Sequence, residues 1–386
     1  MAKRVNPVKK IISFLHLWLG LISGIVVVMV AVTGCLYVFE EECRDIFQHK
    51  YYYVKAADET VRKDIAELQA LVSKTYPAET VTGIRFKEEK GAAFIFSTKS
   101  RKAISVNPYT ASVIGMRNME NDFFSIVLKL HRTLYLGDVG KQVIKWNVLI
   151  FFIMCISGLV LWWPKQKRFF RQAVRINFKT KNRKRFNWDL HSVLGFYALL
   201  VLILISLTGI FWMFDSVKDG VRLVTNSPAK KKEEKLKSDP AQSNGFNAAA
   251  AYRYTIAQNP GAKETFIGLP ADSTAALRVV MRYPYTVVRK QVSMFFDQYS
   301  GKPLKEENFK NATGYEKVAR ANYSLHTGDI PPLGIGSKII YFLASLVAAS
   351  LPVTGFLIWL GRKRKKPVRR QMMVKAAVQV AEPQLA

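Results

Sequence analysis

A chain of 386 residues is long enough for two or three domains. Its residues are 49% hydrophobic, yet it carries a formal charge of +30, which argues against an ordinary soluble domain and for apolar spans separated by basic segments. That charge alone would suit a nucleic-acid binder, but it gathers at the ends of apolar runs, so it reads as membrane topology and nucleic acid drops out as a partner.

In chain order, residues 1–10 form a basic N-terminus with Lys3, Arg4, Lys9 and Lys10. A first apolar span covers 11–39, long enough for a hydrocarbon core of about 30 Å, which takes roughly 20 helical residues. Val32-Thr33-Gly34-Cys35 looks like a lipoprotein cleavage box, but the apolar run exceeds the length of a signal peptide and reads as a span. Residues 40–141 form an outer segment. Within it 60–76 reads as an amphipathic helix ending at Pro77, followed by strand-like runs Thr80–Phe86, Ala92–Ser97 and Ala103–Val106 and a turn at Asn107-Pro108-Tyr109-Thr110.

The second span covers 142–163 and is followed by a loop, 164–187, with ten basic residues from Lys165 to Arg185 and no acid among them. A third span covers 188–214. The outer segment 215–336 begins with a lysine-rich stretch, 226–245, expected to be a mobile loop; a helix over Ala248–Gln258 and strands at Ala276–Arg282 and Gln291–Phe296 follow. The fourth span, 337–361, contains Leu351-Pro352-Val353-Thr354-Gly355, which spells a sorting motif but reads here as a helix kink with small packing residues. The tail 362–386 opens with seven basic residues from Arg362 to Arg370. The positive-inside rule then puts both termini and the middle loop in the cytoplasm and both outer segments outside. Each outer segment reads as a small α+β module.

Cys35, Cys43 and Cys155 form no CxxC or CxxCH, which argues against covalent haem attachment, a zinc knuckle and a disulfide framework. No glycine-rich phosphate loop follows a strand, so a nicotinamide or flavin site within the chain is not expected. Tyr51–Tyr53, Trp146, Trp162 and Trp163 fit an interfacial aromatic belt, and His49 reads as a surface residue beside the tyrosines.

The chain carries an internal repeat. Leu15-His16-Leu17-Trp18-Leu19-Gly20 aligns without a gap on Leu190-His191-Ser192-Val193-Leu194-Gly195, and Thr33-Gly34 aligns on Thr208-Gly209. His131 corresponds to His326. Two extra residues around Pro331-Pro332 then bring Lys141 onto Lys338, Gly158 onto Gly355 and Trp162 onto Trp359. The His-x-x-x-Gly helix starts and the Tyr-containing turns resemble the PepSY-associated transmembrane family over nearly the whole chain. The resemblance implies two extramembrane PepSY-like modules, each a helix with a three-stranded sheet. It also implies the activity of the di-haem inner-membrane reductases that reduce siderophore-bound iron. Some relatives carry a flavodoxin- or ferredoxin-reductase-like extension, and this chain shows none.

Four of the five histidines occupy matched positions, and an ionisable side chain inside a membrane is a functional candidate by default. His16 and His191 lie about 9 Å inside the cytoplasmic end. His131 and His326 end short outer helices, roughly 121–136 and 313–326. Two sites are expected, His16/His191 inside and His131/His326 outside, each pair furnishing axial ligands to a non-covalent b-type haem iron. Zinc fits less well because it takes three or four ligands. Bis-histidine ligation points to electron transfer. Gly20, Gly24 and Gly195 would admit the macrocycle or a close helix contact equally well. Arg132 and Lys338 are candidates for the haem propionates. The expected function is a reductase passing electrons from a membrane quinol or a cytoplasmic reductase to a periplasmic ferric siderophore or other iron chelate. The rivals are a haem-free scaffold that binds or inhibits a peptidase, and a solute transporter.

Overall fold

The computed structural model describes residues 7–55, 61–164, 166–229, 236–242 and 244–363. The expectations placed on Lys3, Arg4, Lys165, residues 364–386 of the tail, and residues 230–235 and 243 of the lysine-rich stretch lie outside the described residues. The first half contains α1 (Pro7–Tyr37), α2 (Glu40–Phe47), α3 (His49–Tyr52) and α4 (Ile65–Thr75), then β1 (Val81–Lys87), β2 (Phe94–Thr98), β3 (Lys102–Asn107) and β4 (Ser112–Asn118). It closes with α5 (Phe123–Thr133) and α6 (Gly137–Trp162). The second half contains α7 (Phe170–Ala173), α8 (Arg183–Asp189), α9 (Gly195–Met213), α10 (Asp215–Val224) and α11 (Ala248–Gln258). After these come β5 (Glu264–Gly268), β6 (Leu277–Tyr283), β7 (Lys290–Phe296), β8 (Pro303–Asn308), α12 (Gly314–Thr327) and α13 (Gly334–Lys363).

Four helical stretches are long and apolar enough to cross a membrane: Pro7–Tyr37, Gly137–Trp162, Arg183–Met213 and Gly314–Gly361. The chain is a multi-pass membrane protein. The main helix α1 packs on α6 and α13, and α9 packs on the same two, so α1 and α9 stand at opposite corners of a four-helix bundle. Small side chains let the helices close on one another: Cys155, Ala198, Ala344 and Ala348 form the buried centre together with Leu202. The three cysteines are free, Cys35 and Cys155 buried and Cys43 half-buried. Short α5 lies against α1 and α6, and α12 against α9. At Gly140 an added Cβ would stand 1.7 Å from Thr133 O, so only glycine lets α6 start against the end of α5.

The outer segments do not form two separate modules of three strands each. Each supplies four strands, and the eight join in one antiparallel sheet ordered β4-β3-β2-β1-β5-β6-β7-β8. The seam is the β1–β5 pair, where Ile84 faces Ile267 and Arg85 faces Phe266. Both isoleucines are fully buried, so the seam is core rather than a loose contact. Helices α4 and α11 cover one face. Asp64 caps α4 by accepting from Ala66 N, and Ile65, Leu68 and Val72 point from one side of it into the sheet. Phe86, Phe96 and Phe296 are almost fully buried there, each contributing about 1.5–3 kcal/mol of burial. The other face meets the end of the bundle where α2, α3 and α12 lie. Arg117 of β4 donates to Gln48 Oε1 at 2.5 Å and to Tyr52 Oη at 3.1 Å, and Arg320 of α12 donates to Gln291 O at 3.5 Å.

Candidate functional site

His16 lies on α1, His131 in the last turn of α5 and His326 in the last turn of α12. His191 sits in a π-helical turn, Leu190–Leu194, between α8 and α9. Such a turn widens a helix locally and re-aims the side chains it carries. All four rings are half-buried. His16 and His191 come together across the bundle with ring centres 6.5 Å apart and planes at 88°. His131 and His326 do the same, 6.1 Å apart at 73°. The structure therefore joins the residues of each expected pair.

The rings are held alike. Nδ1 of His16 is bonded to Ser157 Oγ at 2.8 Å, and Nδ1 of His191 to Thr354 Oγ1 at 2.9 Å. Nδ1 of His131 is bonded to Thr33 Oγ1 at 3.1 Å, and Nδ1 of His326 to Thr208 Oγ1 at 2.9 Å. In every case the residue after the hydroxyl is a glycine beneath the ring. A Cβ added at Gly158, Gly355, Gly34 or Gly209 would stand 3.4, 3.3, 3.5 or 3.8 Å from the Cε1 of the same histidine. Each histidine is thus seated on a hydroxyl–glycine step of a neighbouring helix. Sequence reading missed the four hydroxyls as partners. The available signal was that Thr33-Gly34 and Thr208-Gly209 recur in the repeat, and that the offset matching Gly158 to Gly355 also matches Ser157 to Thr354.

The donor set fits a metal already held in a plane by a macrocycle. Among the described residues no group of three or more His, Cys, Asp or Glu is placed to hold an ion, so each site offers two imidazoles. Two rings sharing one metal through nitrogens about 2 Å from it would have centres roughly 6 Å apart; the two observed separations agree. Trp212 packs 4.8 Å from the His326 ring and 6.5 Å from Tyr323, which lines the outer side of this site.

The remaining sequence candidates are distributed as follows. Gly20, Gly24 and Gly195 lie at helix contacts, against Met154, Pro352 and Leu351. Arg132 is exposed. Lys338 is buried and bound to Glu42 at 2.6 Å and Glu41 at 3.6 Å. His49 is exposed and stacked on Tyr53, away from both pairs. Beyond the outer pair, Arg289 lies 3.7 Å over the Tyr323 ring and donates to Asp329 at 3.0 Å. Tyr285 also donates to Asp329, and burial together with that bond pushes its phenol up to about 12.

The family described as the PepSY-associated TM region matches residues 14–362 of the chain. No curated protein gives a significant match.

Proposed function

The chain belongs to the PepSY-associated transmembrane family, and from that membership and the histidine geometry we propose that it is a di-haem b reductase of the bacterial inner membrane, built as two copies of one helix–outer module–helix unit. The observation that carries this reading is the pair of cross-bundle histidine contacts, at 6.5 and 6.1 Å. His16 and His191 would hold one b-type haem and His131 and His326 the other. When bound, a haem held by two histidines would supply one-electron transfer.

The protein's own contribution is spacing and placement. Seventeen residues of α1 separate His16 from Thr33, the residue that seats His131, which is about 25 Å of helix rise. The inner pair would face the cytoplasm, where basic residues from Lys167 to Arg185 offer a docking surface to an acidic reductase; a membrane quinol is the other donor. The outer PepSY-like modules would lie in the periplasm and present the acceptor, a ferric siderophore-type chelate whose negative charge suits the excess of basic over acidic residues in segments 40–141 and 215–336. Each ferric ion takes one electron, so a quinol oxidised to the quinone serves two and releases two protons. Arg132, next to His131, is the cation we assign to a haem propionate; Lys338 would have to give up Glu42 to do the same.

Purified chain expressed with ample haem is expected to show a low-spin Soret band that shifts on reduction. A colourless preparation would sink this reading and favour a haem-free scaffold that binds or inhibits a peptidase.

A further inference from the structure

The hydrogen bonds behind the four rings fix their chemistry as well as their position; this step rests on the di-haem reading. A hydroxyl has one proton, and each seating hydroxyl gives it to its own helix. Ser157 Oγ donates to Met154 O at 3.2 Å, and Thr33 Oγ1 to Met29 O and Val30 O at 2.7 and 3.0 Å. Thr208 Oγ1 donates to Leu204 O and Ile205 O at 2.9 and 2.8 Å, and Thr354 Oγ1 to Ser350 O and Leu351 O at 2.9 and 3.1 Å. An oxygen whose proton is engaged can meet an imidazole only as an acceptor, so Nδ1 must bring the proton. At His131 a second acceptor imposes the same condition: Val30 O, 3.0 Å from Nδ1, has no proton to give. A neutral ring protonated at Nδ1 keeps its lone pair on Nε2.

We infer that Ser157, Thr33, Thr208 and Thr354 are positioning residues that hold His16, His131, His326 and His191 in the Nδ1–H form, with Nε2 as the metal-binding atom. The glycine after each hydroxyl lets the ring lie close enough for the bond. An acceptor on Nδ1–H makes the ring a stronger donor through Nε2, which favours the ferric state. Each hydroxyl therefore lowers the potential of the iron its histidine binds.

The test uses the full chain in lipid nanodiscs. In haem-free protein, nitrogen NMR of labelled histidines is expected to show Nδ1 protonated in all four matched rings, with the His326 signal moved by Thr208→Val and restored by Thr208→Ser. In haem-loaded protein, Thr208→Val and Thr33→Val should raise the outer midpoint potential and leave the inner one in place. Thr354→Val and Ser157→Ala should raise the inner potential and leave the outer one in place. Haem affinity at the altered site should fall on the order of ten- to a hundredfold. Protonation at Nε2 in the haem-free chain, or valine variants with unchanged potentials, would overturn the inference and leave the di-haem reading standing. A wild-type chain that binds no haem overturns both. If Thr208→Val does not fold, Ser157→Ala reads the same relation at His16 of the inner site.

Discussion

Arg44 of α2 grips Asp122 with two nitrogens, Nη2 to Oδ2 at 2.5 Å and Nη1 to Oδ1 at 3.2 Å. Asp122 is also the N-cap of α5, accepting from Phe124 N and Ser125 N at 3.2 and 3.3 Å. The segment leaving α1 is thereby clamped to the start of the helix that ends with His131. Both side chains are about nine-tenths buried, and without Asp122 the Arg44 guanidinium keeps Glu40, at 2.6 Å, and Gln48, at 3.2 Å. Asp122→Ala should destabilise this half of the chain by about 2–4 kcal/mol, from the lost charge-assisted bonds and the lost cap, and Asp122→Asn by less because it keeps the cap acceptor. Thermal unfolding of detergent-solubilised variants measures this; an unchanged transition in Asp122→Ala would mean that the clamp is idle.

The same pair sets an acid limit. Burial pushes the Asp122 carboxyl up, but the bonds from Arg44 and the Ser125 N–H outweigh it and hold the group below the usual carboxylate range. A depressed folded value means the stabilisation is complete above the unfolded value, about 3.9, and is lost as pH falls through the lower folded one. Wild-type protein should therefore lose stability more steeply than Asp122→Asn below about pH 4, a difference an acid titration followed by circular dichroism would register.

Hydropathy made the spans legible because a membrane requires about 20 apolar residues whatever the tertiary contacts. The helices α4 and α11 were legible too, since Pro77 and Pro260 stop them within one or two residues of their observed ends. Three strands were not. The edge strand β8, Pro303–Asn308, is charged and has no buried residue, and β4 carries Gly115, Arg117 and Asn118. Only five residues long, β5 sits between Gly261 and Pro270. Nor could the alternation in β1 reveal its neighbour, because a strand with one buried face reads alike at an edge and at a seam. The histidine pairs were found because a rare residue recurred. Their hydroxyl seats were not, because Ser and Thr in an apolar helix look like ordinary packing residues, and Ser157 is 141 positions from His16.

The seam predicts that the outer segments unfold together. Ile267, fully buried opposite Ile84, should cost about 2–5 kcal/mol when cut to alanine. Hydrogen exchange should then speed up in β2 as well as in β7, on both sides of the seam. Faster exchange confined to β7 would show two independent modules.

The glycine seats predict a graded series. A methyl at Gly355 or Gly158 would press the His191 or His16 ring at 3.3 or 3.4 Å, tighter than ordinary contact, whereas Gly34→Ala would touch His131 at 3.5 Å. Gly209→Ala meets Val148 Cγ2 at 2.9 Å besides the His326 ring, so it should destabilise by about 1–3 kcal/mol. Gly336→Ala, with nothing within 4 Å, is the control. Low-spin electron paramagnetic resonance signals should move for the inner site in Gly355→Ala and Gly158→Ala, and stay in place in the control. Unmoved inner signals would mean that the rings do not rest on these residues.

Pairing across the two copies makes the strongest demand on histidine double mutants. His16 and His191 meet each other, as do His131 and His326, while His16 and His131 belong to one copy and never meet as a pair. His16→Ala/His191→Ala removes both ligands of the inner site, so it should lose no more haem than either single mutant and keep the outer spectrum and potential. His16→Ala/His131→Ala removes only one ligand from each site, yet it should lose bis-histidine ligation at both. Haem per chain, measured by pyridine haemochrome, separates these cases. If instead His16→Ala/His131→Ala retains one intact low-spin haem, ligands pair within a copy, and the cross-bundle geometry is not the one that binds the cofactor.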